Sequence, residues 1–203
     1  RAGGFGRGSG NIFVPVGGQV ELNFTLTRFE SFEQNNGGWT GSGVWEWGQP
    51  TSGPNSAYDG NNVWATVLGG NYPNNADDNL ITGFYTVDTL PAPLTFYQWY
   101  DFESTYDGGN VSISTDGGNS WNLIEPEGGY PDNDVVGLDN QPGYSATSGG
   151  WTMAQFRITD YIGMTVKFRF RFGSDGSITR AGWYLDAVLL QGGSSQEAGT
   201  PDI

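Results

Sequence analysis

The sequence contains no cysteine and no histidine among its 203 residues. Without cysteine the chain cannot form a disulfide bond. Without either residue it cannot build a Ser-His-Asp triad, a Cys-His dyad or a histidine-ligated zinc site, which excludes most hydrolases and zinc enzymes. A carboxylate pair of the glycosidase kind remains available, but no spacing selects one pair among the 22 acidic residues. We therefore predict that the protein is not an enzyme.

Positive charge is also scarce, because eight Lys and Arg face 22 Asp and Glu and the formal net charge is −14. Nucleic acids and anionic membrane surfaces both require a cationic protein surface, so we exclude them as partners. No apolar run is long enough to span a bilayer, which excludes membrane insertion. Such acidity suits an extracellular protein and the binding of calcium. Because the chain begins at Arg1 rather than Met, we expect a mature secreted product.

What the sequence does contain is typical of β-structure. It has 34 Gly, 10 Pro and 15% aromatic residues, and short alternating runs recur between turns rich in Gly, Asn and Asp. We predict an all-β fold, a two-sheet antiparallel jelly-roll β-sandwich with an N-terminal extension strand. The predicted strands of the sandwich are 44–47, 62–66, 79–86, 94–103, 110–114, 121–124, 151–158, 165–173 and 182–191.

Several blocks of the sequence resemble a known family of modules. The likeness is carried by SFEQNNGGWT at 31–40, GSGVWEWGQPTSGPNSAYDGNNVWATVLGGNY at 41–72, FYQWYDFESTYDGGNVSISTDGGNSW at 96–121 and VKFRFRFGSDGSITRAGWYLDAV at 166–188. Over residues 29–190 or so, the chain resembles the choice-of-anchor J jelly-roll modules, which are akin to MAM and cleaved-adhesin domains. The resemblance implies a secreted β-sandwich that is usually non-catalytic.

The residues ahead of this module form a Gly-rich leader and one additional strand, so we divide the chain into 1–28 and a sandwich at 29–203. Apolar and polar residues alternate from 19 to 27, and a strand with such an apolar row must be buried. It joins either the edge of its own sandwich or the groove of the next subunit, as in donor-strand complementation. The predicted subunit-interface residues are Ile12, Val14, Val16, Val20, Leu22, Phe24 and Leu26.

A strand donated to the next subunit pairs head to tail without closing, and this geometry predicts a filament. We therefore predict a non-enzymatic extracellular structural protein, the subunit of a homopolymeric surface filament. The alternative is a monomeric adhesin or carbohydrate-binding jelly-roll module of a larger secreted protein, with surface glycans as its ligands.

The resemblance also implies a structural calcium, because similar domains often carry one where the first and last strands lie close together. Glu30 lies on an early strand and Asp186 on the last, while Asp59 and Asn61 belong to a turn. Their oxygens could supply a hard-cation shell, so we predict these four residues as calcium ligands. The alternative is that Asp59 makes an Asx turn and Asp186 accepts hydrogen bonds from nearby backbone groups.

Eight Trp and ten Tyr allow a carbohydrate platform, because exposed aromatic rings are typical of binding surfaces. The candidate rings for glycan binding are Trp45, Trp47, Tyr72, Trp99, Tyr130 and Tyr144. The alternative is that large rings fill the sandwich core. The resembling modules place core aromatics at Trp39, Trp64, Trp99, Trp121, Trp151 and Trp183.

One predicted strand concentrates positive charge, because Lys167, Arg169 and Arg171 alternate with apolar residues. Three of the eight basic residues therefore share one face of that strand. We predict that this face is exposed and that its cations pair with neighbouring carboxylates. The alternative is a groove for an acidic ligand.

Overall fold

A computed structural model describes residues 28–87 and 93–190. Within these ranges the chain forms fourteen strands and two 3-10 turns, Val136–Leu138 and Thr159–Tyr161. The strands are β1 (Arg28–Glu30), β2 (Thr40–Gly41), β3 (Trp45–Gly48), β4 (Val63–Thr66), β5 (Asp77–Ile81), β6 (Tyr85–Thr86), β7 (Pro93–Asp101), β8 (Gly108–Ser114), β9 (Asn122–Ile124), β10 (Asp132–Val135), β11 (Gln141–Gly143), β12 (Thr152–Arg157), β13 (Thr165–Gly173) and β14 (Gly182–Leu190).

These strands form two six-stranded sheets and a two-stranded ribbon of β10 and β11. Sheet A has the order β12-β7-β14-β4-β3, and β1 pairs with the end of β14. Sheet B has the order β2-β5-β13-β8-β9, and β6 pairs with the start of β13. All these pairings are antiparallel, so the predicted all-β sandwich is confirmed.

The core lies between the sheets, and the side chains of β7 and of the first part of β13 alternate between it and the outside. On β13, Phe168, Phe170 and Phe172 are fully buried, and the cations between them point outward. Trp183 of β14 meets Phe170 from the opposite sheet, with ring centroids 6.0 Å apart. Burying each such ring contributes roughly 2–3 kcal/mol, so this interior supplies most of the folding free energy. The outward residues of each sheet form two further surfaces, which we call outer face A and outer face B.

Most of the predicted strands correspond to observed ones, with ends that differ by a few residues. The predicted strand at 79–86 is divided into β5 and β6. The division arises at Thr82, whose side-chain hydroxyl accepts the Phe168 N–H at 3.0 Å in place of a backbone carbonyl. The strands β2, β10 and β11 were not predicted, whereas β1 is the early strand on which Glu30 was expected.

The leader and extension strand predicted within residues 1–27 lie outside the described residues, so the division of the chain at residue 28 stays a prediction. In the described ranges, no helix is long and apolar enough to cross a membrane.

Candidate binding faces

A buried carboxylate anchors the turn that follows Tyr58 onto outer face A. Asp186 lies opposite Tyr97 in the β14–β7 pairing and is fully buried. Its Oδ2 accepts the Asp59 N–H at 2.9 Å, and its Oδ1 accepts the Ala187 N–H at 2.6 Å. Burial raises the pKa of Asp186 to about 7, while these backbone N–H groups act in the opposite direction. The Asp186 carboxyl group therefore accepts a backbone hydrogen bond that holds the turn on sheet A.

A second carboxylate closes the same turn from the other side. Glu33 Oε1 accepts the backbone N–H groups of Asn61 and Asn62 at 2.8 and 2.7 Å. Gly60, between them and Asp59, has φ +68, and a Cβ at this position would collide with the Glu33 carboxyl group. The turn therefore requires glycine for both its conformation and the close approach of Glu33.

The structure brings only part of the predicted calcium set together. Asp59 and Asp186 adjoin through the hydrogen bond just described, but the Asn61 amide donates to Glu33 Oε2 at 3.3 Å. Glu30 lies on β1, where it is paired with Val188 of β14. The hydrogen bonds of Asp186 agree with the alternative in which it accepts backbone N–H groups. Calcium binding by these residues stays a prediction.

Three carboxylates converge elsewhere, at Glu103, Asp107 and Asp175, whose oxygens lie within 4.8 Å of one another; among the described residues no other such group occurs. Asp107 is fully buried and accepts the Tyr72 hydroxyl and the Asp175 N–H, both at 2.7 Å. Burial raises the pKa of Asp107, although both donors favour its charged form. These bonds tie the loop before β8 to the loop after β13, so they serve the fold.

Most of the predicted glycan-binding rings lie in the core. The exposed fractions of Trp45, Tyr72, Tyr130 and Tyr144 are 6, 1, 8 and 6%. A ring enclosed on both faces cannot stack on a sugar, so the prediction of these four as a platform is wrong. Trp47 is 39% exposed, but it stands apart from them at the edge of sheet A.

An aromatic patch lies instead on outer face A and consists of the exposed Tyr58 and Met153 with the half-buried Tyr97 and Trp151. Tyr58 stacks on Tyr97 with ring centroids 3.5 Å apart and planes at 11°. The edge of Trp151 meets Tyr58 at 6.1 Å. Met153 lies opposite Tyr97 in the β12–β7 pairing and is 56% exposed. The patch is thus a continuous surface of apolar side chains beside the anchored turn.

Sequence reasoning missed Tyr58 and Tyr97, although part of the signal was present. Leu94 and Phe96 face the core, so the period of two sends Tyr97 and Trp99 outward. Because both faces of β7 carry apolar residues, the alternation does not show which rings are exposed. Trp99, a candidate for both the glycan platform and the core, and Trp151, a predicted core ring, lie partly buried on outer face A, where they pack on a small second cluster of buried residues.

The cationic strip, which consists of Lys167, Arg169 and Arg171, points outward on outer face B, but it is not exposed as predicted, because Arg171 is buried and the other two are half-buried. Arg171 pairs with Asp77 through two bonds of 2.7 and 3.0 Å and with Asp139 through one of 2.7 Å. The prediction of pairing with neighbouring carboxylates is therefore confirmed for Arg171.

The other two cations have different neighbours. Within the described ranges, no carboxylate forms an ion pair with Lys167 or Arg169. The Arg169 guanidinium lies 5.0 Å from the centre of the Trp121 ring, and Lys167 Nζ lies 4.4 Å from that of Phe84. Trp121 was predicted in the core and instead lies on outer face B, beside Arg169. The prediction of carboxylate pairing is wrong for these two cations.

The Arg169 guanidinium is also incompletely hydrogen-bonded. Its Nη2 reaches the Ser112 hydroxyl at 3.4 Å, and its buried Nε has no partner in the structure. Partial burial and the neighbouring Arg171 lower the pKa of Arg169. Asp77 acts on this pKa in the opposite direction without forming an ion pair with Arg169, and the arginine remains charged under all ordinary conditions.

Two relatives have sequences similar to more than half of this chain. Bacillopeptidase F of Bacillus subtilis (strain 168) is 32% identical over 180 residues, which is 84% of this chain and 11% of that protein. The pre-pro-metalloprotease PrtV of Vibrio cholerae serotype O1 (strain M66-2) is 30% identical over 125 residues, which is 59% of this chain and 13% of that protein. The chain thus spans a small part of the length of either relative.

A solved structure has the same fold. The K2 cleaved adhesin domain of Lys-gingipain superposes with a TM-score of 0.50 and 16% identity, covering 82% of this chain and 99% of that domain. At this identity the likeness concerns the fold alone, and it agrees with the observed sandwich.

The profile of the family described as "Immune inhibitor A-like, MAM domain" matches residues 59–196, well over half of the chain. The match confirms the resemblance to MAM and cleaved-adhesin modules that the sequence blocks indicate. With this profile match and the identity to Bacillopeptidase F, the chain belongs to the Immune inhibitor A-like MAM domain family.

Proposed function

We propose that this domain is a non-catalytic, extracellular module that binds carbohydrate on the aromatic patch of outer face A. The observation that carries the proposal is the stack of Tyr58 on Tyr97, in which Tyr58 remains 44% exposed. A pyranose ring has an apolar C–H face, and a flat, exposed aromatic ring is the surface on which such a face packs.

The way in which Tyr58 is held supports a binding role. Asp186 and Glu33 fix the backbone of the residues that follow it, and Tyr97 fixes the plane of its ring. A side chain that is already ordered loses little conformational entropy when a ligand binds. The patch therefore presents a preformed surface for a sugar.

The available chemistry supports a non-catalytic role. The chain has no histidine or cysteine, and Asp107, in the group of three convergent carboxylates, is fully buried. A catalytic carboxylate must reach its substrate, which Asp107 cannot. The acidic composition and the resemblance to secreted modules support the extracellular setting.

The relatives favour a module of a larger secreted protein over a filament subunit, because the chain matches a small share of each. The predicted donor-strand residues, Ile12 to Leu26, lie outside the described residues, so the filament stays a prediction without support from the described fold.

The proposed function is tested by affinity electrophoresis on a panel of neutral polysaccharides, followed by calorimetry with neutral hexasaccharides. We expect Tyr58→Ala to weaken binding at least tenfold, about 1.4 kcal/mol, because it removes the platform. Tyr106→Ala is the matched control, since Tyr106 is 47% exposed and outside the patch, and it should bind like the wild type. The proposal fails if the wild type binds no neutral glycan or if both variants bind equally well.

A further inference from the structure

Outer face B holds two cations that form no ion pair with any described residue, although the molecule as a whole is strongly acidic. The chain has a net charge of −14, and yet three of its eight basic residues line β13. Arg171 is satisfied by Asp77 and Asp139. Among the described residues, Lys167 and Arg169 form no ion pair; Lys167 lies over the Phe84 ring, and Arg169 lies over the Trp121 ring and near the Ser112 hydroxyl. In so acidic a protein, two uncompensated cations on one strand indicate a missing anionic partner.

We infer that outer face B binds a carboxylate-bearing sugar, with Arg169 as the principal ligand of the carboxylate and Lys167 as a second cation. The guanidinium presents donors in a planar fork that matches the two oxygens of a carboxylate. Arg169 Nε is buried and out of a ligand's reach, so a carboxylate would meet the two Nη groups at the end of the guanidinium, beside the Ser112 hydroxyl that lies 3.4 Å from Nη2.

The surroundings of these cations favour a sugar acid over a bare anion. Phe84, which is 48% exposed, borders Lys167, while Trp121 borders Arg169. Ile81 lies opposite Arg169 on the neighbouring strand β5, on the same face. Apolar side chains on both sides of a cation suit a ligand that combines C–H faces with a carboxylate, as a uronic acid does. Inorganic anions would gain nothing from these rings.

The spacing along β13 suits an oligosaccharide. Residues two apart on a strand lie about 7 Å from one another, so Lys167 and Arg169 can meet carboxylates of successive or alternate sugars in a chain. The net negative charge of the protein disfavours non-specific binding, because a strongly acidic protein repels acidic polymers in general. Binding of an acidic glycan therefore reports on a local site.

The test is calorimetry with tetrasaccharides of galacturonate, mannuronate and hyaluronan, each compared with its carboxyl-reduced, neutral counterpart. We expect the wild type to bind at least one acidic tetrasaccharide at least tenfold more tightly than its counterpart. Arg169→Gln should remove this preference. Arg169→Lys should retain only part of it, since an ammonium keeps the charge and loses the fork.

Arg157→Gln is the matched control, because Arg157 lies on β12 of the opposite sheet and pairs loosely with Glu127 at 3.5 Å. This variant should bind acidic sugars like the wild type. Urea unfolding of Arg169→Gln shows whether a loss of binding reflects a loss of fold, which we do not expect for a residue without an ion pair.

Four results would overturn the inference: no binding of any acidic tetrasaccharide at millimolar concentration, equal binding of the neutral counterparts, wild-type binding by Arg169→Gln, or equally tight binding of an Asp-rich peptide at Arg169. The inference is independent of the proposed function. If Tyr58→Ala loses neutral glycans and retains acidic ones, both sites exist; if neutral binding is absent throughout, only the proposed function fails.

Discussion

The two outer faces of the sandwich differ in what their charged side chains do. On outer face A, the carboxylates of Asp186 and Glu33 are engaged by backbone N–H groups, and the exposed surface beside them is aromatic. On outer face B, Arg171 is engaged by two carboxylates, whereas its neighbour Arg169 is not. Fully partnered charges therefore hold the scaffold, and the groups left beside them are available to a ligand.

The largest effect that we expect concerns the predicted calcium ligands on outer face A. If Asp186 and Asp59 bind calcium, an ion concentration 100-fold above Kd should raise the free energy of unfolding by about 2.7 kcal/mol. Thermal unfolding with calcium and with a chelator measures this shift. Asp186→Asn should abolish it, while Asp160→Asn, at an exposed site, should not. An absent shift, or an equal shift in both variants, would mean that face A is held by hydrogen bonds alone.

The next effect separates the two arginines of outer face B. Arg171→Gln breaks a largely buried, bidentate ion pair and should lower the free energy of unfolding by roughly 1–3 kcal/mol. Arg169→Gln should change it by no more than about 0.5 kcal/mol, because no ion pair is lost. Urea denaturation of the two variants checks the difference. Equal losses would show that both arginines serve the fold.

A smaller effect tests whether the anchored turn orders the aromatic patch. Gly60→Ala should cost roughly 1–2 kcal/mol through its positive φ and its collision with Glu33. Gly149 has nearly the same φ, +69 against +68, but open space around it, so Gly149→Ala isolates the backbone part of the cost. Only Gly60→Ala should also weaken neutral glycan binding. Equal glycan affinities in the two variants would show that the turn does not order the aromatic patch.

The smallest effect lies in the turn between β8 and β9, at the border of outer face B. The hydroxyl and N–H of Ser120, with the Ser114 hydroxyl, hold the pKa of Asp116 well below its ordinary value. At a pH above the ordinary pKa of an aspartate, ionised Asp116 therefore adds a little to the free energy of unfolding. This contribution is lost as the pH falls to the lower pKa that Asp116 has in the folded protein. An NMR titration of its carboxyl carbon checks this, and an ordinary pKa would contradict it.

Periodicity, together with the spacing of the turns, was enough to predict the long strands of the sandwich. The alternation of β13 predicts both its buried phenylalanines and its outward cations, and the structure has both. The short strands escaped prediction because their composition is that of turns: β10 reads DNDV and β11 reads QPG. They pair only because the chain around them brings them together.

The binding surfaces could not be predicted in the same way, because they depend on contacts between distant residues. The hydrogen bond between Asp59 and Asp186 joins positions 127 residues apart, and it places the turn after Tyr58 on sheet A. Tyr72 and Tyr144 are residues of the type that forms a sugar platform, but both lie inside the sandwich. Nor does the sequence show that Asp77 and Asp139 both pair with Arg171 and leave Arg169 without a carboxylate.

The most direct test of two separate binding faces is one NMR titration with an acidic tetrasaccharide that observes arginine Nε–H and tryptophan indole N–H resonances together. Arg169 and Trp121 report on outer face B, and Trp151 reports on the aromatic patch. We predict that the Arg169 and Trp121 signals shift while the Trp151 signal stays in place. Shifts confined to Trp151, or shifts of all three signals in proportion, would contradict the account.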